Sequence, residues 1–145
     1  MTNTTTISGF VDSSDKKIPI GTEVWIDNIC VVNVEHVDRI VHFSHTLDDD
    51  DGNHELRIVM KHKIPEHTEL DDTGNIVRDV ILTISDIKFD EIDLGQLFFN
   101  KTVYTHDFNG SQPSVEDKFF GSMGCNGTVS LKFTTPLYLW LLENM

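Results

Sequence analysis

The sequence predicts an all-β fold, a β-sandwich or jelly roll with a short C-terminal helix. Three observations carry this expectation. Apolar residues recur with a period of two, most clearly where Val129, Leu131 and Phe133 alternate with Thr128, Ser130 and Lys132. Turn signals stand at Asp51-Gly52, Gly74-Asn75 and Asn126-Gly127. The chain then ends on an apolar run, Leu137–Leu142, led in by Thr135-Pro136, which reads as an N-cap and first helical position. A chain of 145 residues can bury about 68–70% of its unfolded surface, so a single sandwich domain over 1–145 is expected.

Taken in order, Met1–Ser8 is rich in threonine and poor in apolar residues, and low order is expected unless it pairs as an edge strand. Asp12–Lys17 reads as a loop. Between Thr22 and Phe43 the β-branched content predicts two or three strands. The Asp-Gly step within Thr46–Asn53 predicts a hairpin turn before a strand over His54–Ile64, whose Leu56, Ile58 and Met60 alternate with charged residues. Asp71–Asn75 is a turn. Asp79–Phe89 resumes the period of two, with a slip or bulge near Asp86. Phe98-Phe99 and Val103-Tyr104 predict a further strand, followed by a long loop over His106–Ser114.

Eleven Lys and Arg stand against 24 Asp and Glu, a formal charge of −13. Such a surface repels phosphate backbones and anionic lipid, so neither direct nucleic-acid binding nor membrane binding is expected. The N-terminus lacks a basic stretch followed by an apolar one, so no secretion by a signal peptide is expected. Cys30 and Cys125 form no C-x-x-C pair; two free thiols are the default, with a single disulfide left open.

Four segments carry candidate chemistry. Asp48, Asp49, Asp50 and Asp51 before Gly52 supply the oxygen ligands a calcium ion needs, but EF-hand spacing fails, because Ile58 falls where the bidentate glutamate belongs. The alternative is a solvated acidic turn. Tyr104, His106, Asp107 and Asn109, with Asp117 after them, place an aromatic ring, an imidazole, carboxylates and an amide around one loop, as a weak calcium or glycan site would. Ordinary turn chemistry is the competing reading. Cys125, His106 and Asp107 could form a thiol nucleophile with its base, yet no enzyme signature accompanies them and no catalysis is expected. Leu137, Tyr138, Trp140 and Leu141 are apolar around the helix, so they are expected in the core or at an interface with another chain. No cofactor is required; calcium is an optional ligand.

The segments Tyr104-Thr105-His106-Asp107-Phe108-Asn109-Gly110, Gly121-Ser122-Met123-Gly124-Cys125-Asn126-Gly127 and Pro136-Leu137-Tyr138-Leu139-Trp140-Leu141-Leu142-Glu143 resemble a group of small uncharacterised acidic proteins of T-even-like tailed phages of marine cyanobacteria. The resemblance implies a phage source, hence the virion or the host cytoplasm. The expectation is a non-catalytic virion-associated structural or binding component, partnered by other virion proteins, by itself or by a glycan. Its rivals are an accessory protein that inhibits a host factor through its acidic surface, and an enzyme of unknown class. A weaker likeness, carried by acidic turns and the Asp86–Gly95 segment, is to calcium-dependent carbohydrate-binding β-sandwiches.

Overall fold

The computed structural model describes residues 3–107 and 113–145. Along the chain run β1 (Thr4–Ser13), β2 (Gly21–Ile26), β3 (Ile29–Val34), β4 (Val41–Asp48), β5 (Gly52–Lys61), β6 (Glu69–Leu70), β7 (Ile76–Arg78), β8 (Leu82–Phe89) and β9 (Ile92–Asp93). There follow the helix α1 (Gln96–Lys101), β10 (Thr102–His106), β11 (Val115–Lys118), β12 (Ser122–Met123), β13 (Gly127–Thr135) and the helix α2 (Leu137–Asn144). One sheet has the order β12-β8-β1-β4, with β9 beside the end of β8; the other is six-stranded, in the order β11-β10-β13-β5-β2-β3. Every pairing between described strands is antiparallel, and the two sheets pack as a sandwich.

The core lies between the sheets and follows from the period of two. β1 turns Ile7 and Val11 inward, β8 turns Leu82, Ile84 and Phe89, β5 turns Leu56, Ile58 and Met60, and β13 turns Val129, Leu131 and Phe133, all buried. Burying a side chain of this kind contributes about 1.5–3 kcal/mol. The six-stranded sheet therefore keeps its other face for solvent.

Several local expectations change. Thr4–Ser8 begins β1, which pairs with β4 on one side and β8 on the other, so it is an inner strand. Every second residue there is buried, at Thr5, Ile7 and Gly9, and this alternation lets a threonine-rich segment with few apolar side chains hold its register. Asp51-Gly52 makes no hairpin: β4 lies in one sheet and β5 in the other, so the acidic run turns a corner between sheets. Asn126-Gly127 likewise joins β12 of one sheet to β13 of the other. Phe98 and Phe99 sit in α1, where Phe98 is buried and packs edge-on to Phe119 at 6.1 Å, so the strand begins only at Thr102. The slip near Asp86 is present as a bulge. The β1–β8 register shifts there, Asp86 takes φ 52°, and the buried set moves from Leu82 and Ile84 to Ile87 and Phe89.

The C-terminal helix is present as predicted, with its start shifted by one residue. Pro136 stands at the N-cap position, and the Asp49 carboxylate accepts the backbone N–H of Leu137 at 2.8 Å. Thr135, expected to cap the helix, instead donates its hydroxyl to the Asp50 carbonyl.

Candidate functional site

The strand β10 aims Tyr104 and His106 at the corner between β12 and β13. Tyr104 is 4% exposed, with its ring stacked on the His106 imidazole at 4.0 Å and its hydroxyl donating to the Cys125 carbonyl oxygen. Burial, then the neighbouring Cys125, pushes the Tyr104 phenol well above its ordinary range. His106 Nδ1 is 2.8 Å from Cys125 Sγ, and His106 Nε2 is 3.7 Å from the Asp117 carboxylate on β11. The structure thus brings together Tyr104, His106, Asp117 and Cys125 of the sequence candidates. Asp107 is exposed at the end of β10, and its backbone N–H donates to the Asn126 carbonyl. Asn109 lies outside the described residues.

The acidic corner is spent in part on structure. Asp49 caps α2, the Asp50 carbonyl receives Thr135, and Asp48 pairs in register with Thr4 at the end of β4. Asp51 is exposed. Among the described residues no three His, Cys, Asp or Glu side chains converge as a metal site would require.

Leu137, Trp140 and Leu141 face inward from α2, and Trp140 meets Phe89 at 5.8 Å and Phe133 at 6.3 Å. Tyr138 faces outward, beside Ile92, Asp90 and Thr6 in a shallow depression of about 550 Å³. Among the described residues no helix is long and apolar enough to cross a membrane.

The feature that sequence reasoning missed is the outer face of the six-stranded sheet. Register places Trp25, Arg57, Ser130, Val103 and Lys118 in one row across β2, β5, β13, β10 and β11. The adjoining row is Glu23, Val59, Thr128, Thr105 and Glu116. Four strand spacings separate the ends of each row, roughly 19 Å. A depression of about 540 Å³ crosses this face, floored by Ser130, Thr128, Thr105 and Val103 and flanked by Glu55, Arg57, Lys101, Lys132 and Glu116. A neighbouring one of about 680 Å³ shares Glu55, Arg57 and Lys132 and runs toward His54 and Asp27.

The side chains of this face are held in place. The Arg57 guanidinium lies 5.6 Å from the Trp25 ring centroid and donates to the Asp27 carbonyl at 2.8 Å. The Trp25 indole N–H donates to Glu23 at 2.8 Å, and the Ser130 hydroxyl donates to Glu55 at 2.6 Å. The hydrogen bonds from Trp25 and Lys61 outweigh burial and hold the Glu23 carboxyl below the ordinary carboxylate range. Arg57 Nε is buried without a hydrogen-bond partner among the described residues, 3.5 Å from Glu55. The signal is present as the wet face of each strand, but only the strand order shows that these faces adjoin.

No family model and no curated protein matches the chain. Among solved structures the chain is similar to one described as vCBM60 in complex with galactobiose, at 13% sequence identity and a TM-score of 0.48, over 87% of this chain and 96% of that one.

Proposed function

We propose that the chain is a non-catalytic carbohydrate-binding module that uses the outer face of its six-stranded sheet as the binding platform. The observation that carries this reading is the row Trp25–Arg57–Ser130–Val103–Lys118, whose middle three residues line an open depression on the same face. A sugar ring presents apolar C–H patches rimmed by hydroxyls that both donate and accept. A complementary surface needs an aromatic or apolar plate and fixed polar groups of both senses. Trp25 and Val103 supply the first, while Arg57, Lys132, Glu55, Ser130 and Thr128 supply the second. The hydrogen bonds from Ser130 to Glu55 and from Arg57 to the Asp27 carbonyl reduce the side-chain entropy lost on binding.

The sequence likeness to phage proteins supports carriage of this module on a virion, where it would hold a surface polysaccharide of the host. Mass spectrometry of purified particles tests that location: the chain is expected among virion proteins, and recovery from infected-cell lysate alone would favour the accessory-protein reading.

Binding itself is tested by affinity electrophoresis against a panel of polysaccharides, followed by calorimetry on any that retard the protein. Trp25→Ala is expected to weaken binding about tenfold or more, a loss of about 1.4 kcal/mol, with the fold intact by circular dichroism. Failure of every polysaccharide to retard the protein, or wild-type affinity in Trp25→Ala, would overturn the platform.

A further inference from the structure

We propose that Cys125 is a nucleophilic thiol, with His106 as its proton acceptor and Asp117 as the group that steadies the imidazolium, and that it takes low-molecular-weight disulfides. The site is separate from the glycan-binding face and does not depend on that reading. His106 Nδ1 stands 2.8 Å from Cys125 Sγ, and its other nitrogen points to the Asp117 carboxylate at 3.7 Å. The imidazole therefore has the thiol on one side and a negative charge on the other, the polarity a base needs to hold a proton taken from sulfur. Stacking on Tyr104 at 4.0 Å fixes the ring plane, and the Cys125 backbone N–H donates to the Tyr104 hydroxyl oxygen at 3.1 Å, which fixes the cysteine. Cys125 is half-buried, not fully enclosed in the core.

The exchange balances without another reactant. His106 takes the thiol proton, and the Cys125 sulfur attacks one sulfur of the disulfide. The Cys125–sulfur bond forms as the reagent's S–S bond breaks. The departing thiolate takes the proton back from His106 and leaves as a thiol. Cys30 cannot resolve the product from within the chain. It lies on β3, three strand spacings or roughly 14 Å from β13, whereas a disulfide needs Cα atoms within about 7 Å. The mixed disulfide therefore persists until an external thiol removes it, which makes Cys125 a site of reversible S-thiolation.

Cys30 is the built-in control, because it is the more exposed thiol and, among the described residues, the hydrogen bond of its Sγ goes to the Val32 carbonyl at 3.4 Å, with no imidazole beside it. The native protein is treated with oxidised glutathione near neutral pH, and each cysteine is followed by peptide mass spectrometry. Cys125 is expected to be glutathionylated about tenfold faster than Cys30, in keeping with activation by an adjacent base. His106→Gln should bring Cys125 to the Cys30 rate or below while leaving Cys30 unchanged. Should His106→Gln disturb folding, Asp117→Asn on the exposed edge strand serves instead and should slow Cys125 about two- to threefold. A native Cys125 no faster than Cys30, or a Cys125 rate untouched by the variant that folds, would overturn the proposal.

Discussion

The Asp49 carboxylate accepts the Leu137 backbone N–H at 2.8 Å, joining the acidic corner between the sheets to the first turn of the C-terminal helix. A carboxylate at this point satisfies a backbone donor that the helix itself leaves unpaired and complements the positive end of the helix dipole. Asp49→Ala should lower stability by about 1 kcal/mol in urea unfolding, the usual cost of a lost cap. Asp51→Ala, at an exposed position, should stay within about 0.5 kcal/mol. Equal losses at the two positions would show that charge density at the corner, and not the cap, is what matters.

Lys63 is 7% exposed, yet its ammonium is 2.6 Å from the Asp79 carboxylate and donates to the Val80 carbonyl at 2.9 Å. Burial pushes the Asp79 carboxyl up, but the Lys63 and Thr68 hydrogen bonds and the Lys63 charge outweigh it, so Asp79 titrates below its ordinary range. A carboxyl lowered on folding contributes stability that is present above the unfolded value of about 3.9 and is lost as pH falls through the folded value. Unfolding free energy should therefore drop on acidification below about pH 4. Asp79→Asn should flatten part of that drop and cost about 2–3 kcal/mol at neutral pH by removing the carboxylate charge beside the buried ammonium. A pH profile of unfolding identical in Asp79→Asn and wild type would remove the ion pair from the account.

The elements most legible in the sequence are those whose signal is local. The bulge at Asp86 is readable because a period of two breaks there and resumes on the opposite parity at Ile87 and Phe89. The final strand and helix are readable for similar reasons. Asp51-Gly52 and Asn126-Gly127 are readable as turns but not as corners between sheets, since a turn signal says where the chain bends and not which strands pair afterwards. The nearness of His106 and Cys125 is within reach of sequence order, whereas the approach of Asp117 to the far imidazole nitrogen depends on the pairing of β11 with β10. The row from Trp25 to Lys118 draws on residues of five strands and has no local signal.

Gly127 opens β13 opposite His106 of β10, in a place where only hydrogen fits. A Cβ there would fall well inside contact distance of the Thr105 carbonyl oxygen and against the Tyr104 ring. The neighbouring Asn126 side chain accepts from the Lys63 N–H at 3.0 Å and donates to the Lys63 carbonyl at 2.8 Å, so the corner cannot swing away without breaking buried hydrogen bonds. Gly127→Ala should cost about 1–3 kcal/mol, as overpacking does. Gly124→Ala, whose added Cβ meets nothing within 4 Å among the described residues, should be nearly neutral. Comparison of the two melting temperatures checks the contrast, and equal shifts would contradict it.

Arg57 is where stability and the proposed glycan site can be separated. Its guanidinium lies 5.6 Å from the Trp25 ring centroid and donates to the carbonyl of Asp27, whose carboxylate in turn accepts the Glu55 N–H at 3.0 Å and pairs with His54 at 2.8 Å. Arg57→Lys keeps the charge but replaces a flat, forked donor with a compact ammonium that cannot both lie beside the indole and reach Asp27. Because His54 and Glu55 still hold the Asp27 carboxylate, the fold should lose no more than about 1 kcal/mol. The platform should lose more: a saccharide that binds wild type is expected to bind Arg57→Lys about tenfold more weakly, with a correspondingly smaller rise in melting temperature at equal ligand concentration. The Trp25 environment gives an independent readout, since a ligand seated on the row displaces water from the indole. Difference fluorescence between wild type and Trp25→Phe, which leaves Trp140 as the shared background, isolates that signal. A bound saccharide that raises the melting temperature without altering Trp25 emission, and does so equally in Arg57→Lys, would place the binding surface elsewhere on the chain.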